Sequence, residues 1–357
     1  MDFTTDISRL KWYVETLNKF KIDPNPATAF KTLTSLNLQS GETLQSHLNT
    51  ILENRRIETM QNEMKDLKEL EWWMNQRNSM SGQPLLAFPS MEPYIIRSTD
   101  FRIWLKHRYL MSLGHIGMRC DCAAKPALDD FGLHLSCGCN KQGLRTATHD
   151  ALVLELQSCL KYCGFWTTHE ERHMFSNDDG KQNNRPDITI NNPAGLKYGG
   201  DKKPNKVIID VSFTNIFDGV RSGNITGQDT RAKAMQIGTK AKARFQEKLN
   251  HYKNLISNLP AQMNPPKYWI LPFVVQSNGY FQEQALELLD EMVKAGCAIK
   301  KIPDTNLLIY FKRRLSCCLA RNLASGINSR ACSVKSHSSF SNDITFQDRR
   351  IMEVNGN

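Results

Sequence analysis

Two short apolar runs, each carrying one aspartate, constrain the fold of this chain more than any other feature. The first covers residues 185–190 and places Asp187 directly after Pro186. The second covers residues 207–211 and carries Asp210 near its end. Both are rich in β-branched residues, which favour strands. The segment between them contains Gly, Pro and Asn, which is typical of a hairpin with a long loop.

The two aspartates predict a site for a divalent cation. An ionised carboxylate in an apolar strand is costly unless it is paired or binds a metal. Two acids on adjacent strands can share one ion, and Mg²⁺ prefers oxygen ligands, with Mn²⁺ as the alternative. Purely structural interpretations stay open, since Asp187 could cap a turn after Pro186 and Asp210 could end an edge strand at the surface.

Composition limits the class of protein. The chain has 357 residues, which allows two or three domains, and a net charge of +10 with a pI of about 9.1, which favours a polyanionic partner. No apolar run reaches about 18 residues, so we expect no membrane span. The start of the sequence lacks the pattern of a secretory signal. Without such a signal, the ten cysteines of the chain indicate a reducing, intracellular compartment.

The periodicity of apolar residues predicts an α/β (α+β) fold with a mixed central sheet flanked by helices. Turn and helix-breaking residues, among them several prolines in residues 79–97, suggest where the chain divides. The predicted segments are a helical N-terminal region and linker at 1–97, a helix with a cysteine-rich segment at 98–145, the main domain at 146–332 and a disordered tail at 333–357. Within the main domain we predict helices at 146–163, 231–253, 282–295 and 312–325, and strands at 165–171, 185–190, 207–211, 268–275 and 307–311.

The cysteine-rich segment predicts a structural zinc site. Zinc takes four thiolate or imidazole ligands in a tetrahedral shell, and a small loop with few apolar residues gains its stability from such an ion. The best set is Cys120, Cys122 and His134 with either Cys137 or Cys139. Buried free thiols are the alternative interpretation, since cysteine is often buried without any ligand role.

Two further groups of polar residues surround the predicted acidic site. His149 lies in the first turn of the helix at 146–163, from which it can reach a metal, including an ion held by the two strand acids. The basic helix at 231–253 carries Lys240, Lys242 and Arg244 opposite its apolar face. These cations form either a solvated face or contacts to phosphates, and Arg185 is a further candidate for a DNA contact.

Taken in order, these residues resemble the C-terminal region of eukaryotic non-LTR-type retrotransposon polyproteins. That region holds a zinc knuckle followed by a restriction-like endonuclease of the PD-(D/E)xK kind, and the similarity runs from about residue 55 to residue 325. The motifs that carry it are the cysteines around His134, His149 at a helix start, the segments 185–187 and 209–211, and the strand at 271–273.

The resemblance implies a catalytic site. Asp187, Asp210 and either Glu170 or Glu171 would hold Mg²⁺ or Mn²⁺. The standard lysine position, two residues after the second acid, is Ser212 here. The resemblance instead places the lysine on the following helix, at Lys248, with Lys240 or Lys242 in reserve.

The implied activity is metal-dependent cleavage of DNA, with RNA as a further candidate partner, in the nucleus rather than the cytoplasm. No polymerase motif is found, so the chain resembles a detached endonuclease end. Two alternatives stay open. The first is a catalytically inactive, zinc-containing nucleic-acid-binding protein. The second is a helical scaffold that assembles through residues 1–80.

Overall fold

The structure, a computed structural model, divides into two units, Met1–Asp66 and Leu67–Asn357. It describes residues 54, 57–59, 61–89, 91–114, 118–120, 122, 127–139, 144–171, 185–193, 195–196, 206–217, 234–257, 268–301 and 303–338. In the first unit, residues 57–59 and 61–63 are helical. Residues 1–53 of the predicted helical N-terminal region lie outside the described residues.

A four-stranded mixed sheet forms the centre of the second unit. Its strands are β1 (Thr167–His169), β2 (Ile188–Ile190), β3 (Lys206–Thr214) and β4 (Tyr268–Gln276), and they lie side by side in that order. β1 pairs with β2 and β2 with β3 in antiparallel orientation, whereas β3 and β4 are parallel. The predicted mixed sheet and the β2–β3 hairpin are therefore confirmed.

Helices pack against this sheet and against one another. They are α1 (Leu67–Asn75), α2 (Gln83–Leu86), α3 (Ser98–Arg108), α4 (Leu144–Tyr162), α5 (Thr239–Ser257), α6 (Glu283–Lys300) and α7 (Asp304–Ser338). A 3₁₀ turn at Glu92–Tyr94 and a π-helical turn at His134–Gly138 complete the regular elements among the described residues. Helix α5 connects the two parallel strands, as such a pair requires a crossover.

Strand β3 is buried on both faces, which explains its continuous apolar sequence. Val207 and Ile209 face the main core, which also contains residues of α4, α6 and α7. Ile208 faces the other way and packs with Tyr252 of α5 and Ile270 of β4. Asp210 follows this alternation and therefore points to the α5 side of the sheet.

Two predictions near the C-terminus are wrong. Residues 307–311 form no edge strand but belong to α7, in which Leu307, Phe311 and Leu315 are buried at a spacing of four, one face of a helix. The helix also continues past Gly326 to Ser338, so residues 333–338 are helical and the remaining predicted tail lies outside the described residues.

The segment at 79–97, interpreted from its prolines as a linker, contains α2 and the 3₁₀ turn. It also contributes the buried residues Met80, Pro84 and Tyr94 to the second unit. Its prolines therefore lie in short packed turns.

Candidate metal centre and acidic site

Four side chains of the cysteine-rich segment converge as a tetrahedral metal site requires. The ligand atoms of Cys120, Cys122, His134 and Cys139 all lie within 4.8 Å of one another. Cys120 Sγ lies 3.6 Å from Cys139 Sγ, and Cys122 Sγ lies 3.7 Å from His134 Nε2. On a tetrahedral zinc with Zn–S bonds of ~2.3 Å, two sulfurs lie about 3.8 Å apart and a sulfur and a nitrogen about 3.6 Å apart. The four side chains therefore fit a zinc ion.

Of the two cysteines that the sequence left open as fourth ligand, the structure describes the side chain of Cys139. Cys139 belongs to the group, whereas the side chain of Cys137 lies outside the described residues. His149, named among the metal ligands, is not in this group but lies at the acidic site. Cys120, Cys122 and Cys139 are buried in the main core. A closed, four-ligand site of this kind is structural in character, because it leaves no position for a substrate.

The turn that presents His134 is held by Asp129. Its carboxylate accepts hydrogen bonds from the backbone N–H groups of Phe131, Leu133 and His134, at 3.1, 2.7 and 2.7 Å. His107 Nδ1 lies 2.8 Å from the carbonyl oxygen of Phe131, so the ring donates a hydrogen bond there. Burial lowers the pKa of His107, which keeps the ring neutral. These bonds hold the backbone around the candidate ligand His134.

Asp210 is the more buried of the two predicted catalytic acids. Lys248 Nζ lies 3.2 Å from its Oδ1 and 3.1 Å from its Oδ2, and the Tyr252 hydroxyl donates to Oδ1 at 2.7 Å. Ser212 Oγ lies 3.4 Å from Oδ2. Burial raises the pKa of Tyr252, and the negative charge of Asp210 raises it further, so the phenol stays a donor. Asp210 lies within a central strand, so the interpretation of a surface edge strand is wrong.

Asp187 directly precedes β2 and contacts a different helix. Its Oδ2 accepts a hydrogen bond from the Val211 N–H at 2.6 Å and lies 3.2 Å from His149 Nε2. The same nitrogen of His149 lies 3.0 Å from the carbonyl oxygen of Val211, and Nδ1 lies 2.9 Å from Asp150 Oδ1. Burial alone lowers the pKa of His149, but Asp187 and then Asp150 outweigh it and raise the pKa to about 9. His149 is therefore a cation at neutral pH.

The hairpin brings these two acids to adjacent positions. Asp187 directly precedes Ile188, which pairs with Ile209, and its Oδ2 accepts a hydrogen bond from the N–H of Val211, the residue after Asp210. The charge of Asp187 also contributes to the raised pKa of Tyr252, whose hydroxyl binds Asp210.

The two glutamates predicted as a third acid are each paired with a cation. Glu170 Oε2 lies 3.1 Å from a guanidinium nitrogen of Arg185, and Glu171 Oε1 lies 2.7 Å from Lys206 Nζ. Among the described residues, the cysteine and histidine centre is the one group of three or more His, Cys, Asp or Glu whose ligand atoms lie within 4.8 Å of one another. The predicted acids thus do not form a preassembled set of three.

Three of the four predicted DNA-binding cations lie along α5, and the fourth, Arg185, precedes β2 and pairs with Glu170. Lys242 Nζ lies 3.2 Å from Glu283 Oε1, and Arg244 lies 2.6 Å from Glu247 Oε1. Lys240 is half-buried near the start of the helix. Exposed ion pairs are weak and exchange readily, so these side chains remain able to contact a phosphate.

Sequence reasoning did not assign a site role to Tyr252, although its position four residues after Lys248 puts both on one helix face. It also did not find Arg330, whose guanidinium lies 3.7 Å from Cys120 Sγ across 210 positions. No local pattern could have indicated that contact.

No family model matches the chain, and no curated protein matches it at a significant level. The resemblance to retrotransposon endonucleases thus stays a prediction from the residues named above. Among the helices of the described residues, none combines the length and apolar character needed to cross a membrane.

Proposed function

We propose that the protein is a metal-dependent DNA endonuclease that hydrolyses phosphodiester bonds with Mg²⁺ or Mn²⁺. The observation that supports it best is the environment of Asp210, a buried acid that contacts Lys248 and Tyr252 and lies across the hairpin from Asp187. Acids on adjacent strands beside a lysine are the groups that phosphodiester hydrolysis needs: oxygen ligands for a cation and a positive charge for the phosphate.

Each side chain has a separate part in this proposal. Asp187 and Asp210 supply carboxylate oxygens to the ion, which when bound lowers the pKa of a water and offsets developing negative charge. Lys248 places its ammonium next to Asp210, where it can also meet a non-bridging phosphate oxygen. Tyr252 orients Asp210 by donating a hydrogen bond to one of its oxygens. His149 offsets the charge of Asp187 when no other cation is near.

DNA is the proposed substrate because the chain is basic and DNA is a polyanion. The chain carries a net charge of +10, and α5, which bears Lys248, also carries Lys240, Lys242 and Arg244. Contacts of this kind reach phosphates and carry little base information, so binding should be salt-sensitive and largely independent of sequence. RNA presents the same phosphates and is the second candidate ligand. The cysteine and histidine centre is proposed to hold a structural Zn²⁺.

One observation favours a second candidate function, a nucleic-acid-binding protein without activity. Glu170 and Glu171 are each engaged with a basic side chain, and among the described residues no third acid joins Asp187 and Asp210 within metal-binding spacing. A site with two acids instead of three can bind an ion too weakly for turnover.

Nicking of a supercoiled plasmid separates the two functions. Purified wild-type protein is compared with Asp210→Asn and with the control Asp290→Asn, which removes an exposed acid of α6 that pairs with Lys294. If the proposal holds, wild type and the control nick DNA in Mg²⁺ or Mn²⁺, and Asp210→Asn is at least about 100-fold slower, the loss that removing one strong electrostatic contribution produces. DNA affinity, measured by fluorescence anisotropy, should be similar for all three.

The same assay can reject the proposal in two ways. Equal nicking by wild type and Asp210→Asn would remove the assigned catalytic site. Absence of nicking by wild type in either metal, with DNA still bound at moderate salt, would favour the inactive binding protein.

A further inference from the structure

Arg330 is the most deeply buried charged side chain near the metal centre. It lies on α7, its residue is fully buried, and one terminal guanidinium nitrogen lies 3.7 Å from Cys120 Sγ. Arginine stays protonated in proteins, so a positive charge is present inside the core beside a metal-ligating sulfur. A buried charge is retained at low cost only where an opposite charge faces it.

The loaded centre supplies that opposite charge. Zinc binds the thiolate form of cysteine, so three cysteines and a neutral histidine around Zn²⁺ carry a net charge of −1. The positive charge of the Arg330 guanidinium therefore offsets the negative charge of the loaded centre, and the centre in turn offsets the charge of Arg330. We propose that Arg330 is a positioning residue of the metal centre and that metal binding holds the C-terminal half of α7 against the core. This proposal does not depend on nuclease activity.

Packing around Arg330 supports this coupling. Ile327, one turn earlier on α7, lies so close to the metal-binding loop that a Cβ on Gly132 would be 3.3 Å from it. Gly132 also has a φ of +75°, which favours glycine, so the loop can approach the helix here. Leu323, Ile327 and Ala331 share one core cluster with Cys120. Residues 323–331 of α7 therefore contribute apolar side chains to the core that contains Cys120, and one cation that lies beside its sulfur.

The first test measures zinc affinity by competition with a chromophoric chelator, using the full chain. Arg330→Met keeps the length and loses the charge, and we expect zinc to bind about 10- to 100-fold more weakly, as for loss of other outer-shell partners. Arg330→Lys keeps the charge but lacks the planar guanidinium, so its zinc affinity should lie between those of wild type and Arg330→Met. The control Arg321→Met removes another arginine of α7, which contacts the Ile95 carbonyl, and should bind zinc as wild type does.

Equal zinc affinity of Arg330→Met and wild type would overturn the proposal. A second measurement on wild type decides the matter even if the variant does not fold. Hydrogen exchange is followed by mass spectrometry with zinc bound and after chelation in reducing buffer. We expect exchange at residues 323–331 to become at least tenfold faster on chelation, and residues 304–315 at the other end of α7 to change less. Unchanged exchange, or an equal change along α7, would contradict the coupling.

Discussion

The metal centre and the acidic site are built in opposite ways. The four metal ligands come from residues 120–139, and the three cysteines among them are inside the main core. The acidic site draws on α4, β2, β3 and α5, and its side chains are partly open to solvent, with 26% of His149 and 24% of Lys248 exposed. A closed centre stabilises the fold, whereas an open one can exchange its partners for a ligand.

The groups that contact the two sites also differ. In the acidic site each aspartate is bound by a cation from a helix, His149 for Asp187 and Lys248 for Asp210. In the proposed nuclease, a divalent ion and a phosphate would replace or join these contacts. In the cysteine and histidine group the neighbours are backbone groups held by Asp129, core side chains and the buried Arg330. The cysteine-rich segment therefore contributes its three candidate thiol ligands to the core.

The comparison is tested most strongly at Cys139. Replacement by serine removes one of four ligands, and structural zinc sites in small peptides contribute about 10–16 kcal/mol of binding free energy that is linked to folding. We therefore expect Cys139→Ser to lose bound zinc and to lower the thermal midpoint by more than about 10 °C. Zinc content measured by atomic emission and unfolding followed by circular dichroism provide the readouts.

Two cysteine variants serve as controls for this experiment. Cys297→Ser alters a partly buried thiol of α6 outside the group, and Cys137→Ser alters the alternative fourth ligand. Both should retain one zinc per chain. Retention of zinc by Cys139→Ser together with loss by Cys137→Ser would reverse the ligand assignment, and unchanged stability on zinc loss would contradict a structural role.

A smaller effect is expected from pH at the acidic site. The pKa of His149 is raised from 6.5 to about 9 in the folded protein, so its proton stabilises the fold. That contribution is complete below pH 6.5, and it is lost as the pH rises through 9. In zinc-loaded, Mg²⁺-free buffer, the difference in unfolding free energy between wild type and His149→Gln should shrink by about 1–3 kcal/mol between pH 6 and pH 9.5.

Denaturant unfolding at several pH values measures this difference. His169→Gln, which alters an exposed histidine of β1, is the matched control and should show no such trend. A difference for His149→Gln that is constant with pH would mean that the histidine contributes packing and not charge. A difference that also falls when Mg²⁺ is added at pH 7 would indicate that the ion competes with His149 for Asp187.

What the sequence could predict follows from the distance between partners along the chain. The candidate metal ligands lie close together in the sequence, so their spacing alone indicated Cys120, Cys122 and His134, and the structure adds Cys139 to the same group. The contact of Asp210 with Lys248 spans 38 positions and was predicted through resemblance, not from any local pattern. The contact of Arg330 with Cys120 spans 210 positions and was not predicted.

Helix α7 shows why local patterns also failed. The run at 307–311 is short and apolar, and such a run fits a strand and a buried helix equally well. The segment is helical because a helix buries Leu307, Phe311 and Leu315 on one face. Gly326 was taken as a helix end, but packing against the core outweighs the roughly 1 kcal/mol that an interior glycine costs a helix.

The smallest effect concerns the two glutamates, and it decides whether the acidic site has a third acid. Glu170 is 50% exposed and Glu171 is 29% exposed, and each makes one ion pair at the rim of the sheet. Exposed pairs of this kind contribute about 0–1 kcal/mol, so Glu170→Gln and Glu171→Gln should shift the urea midpoint only slightly. If either glutamate completes the metal site, its variant will nick DNA more slowly at unchanged stability. If neither variant differs from wild type in nicking, the ion is held by Asp187 and Asp210 without a glutamate.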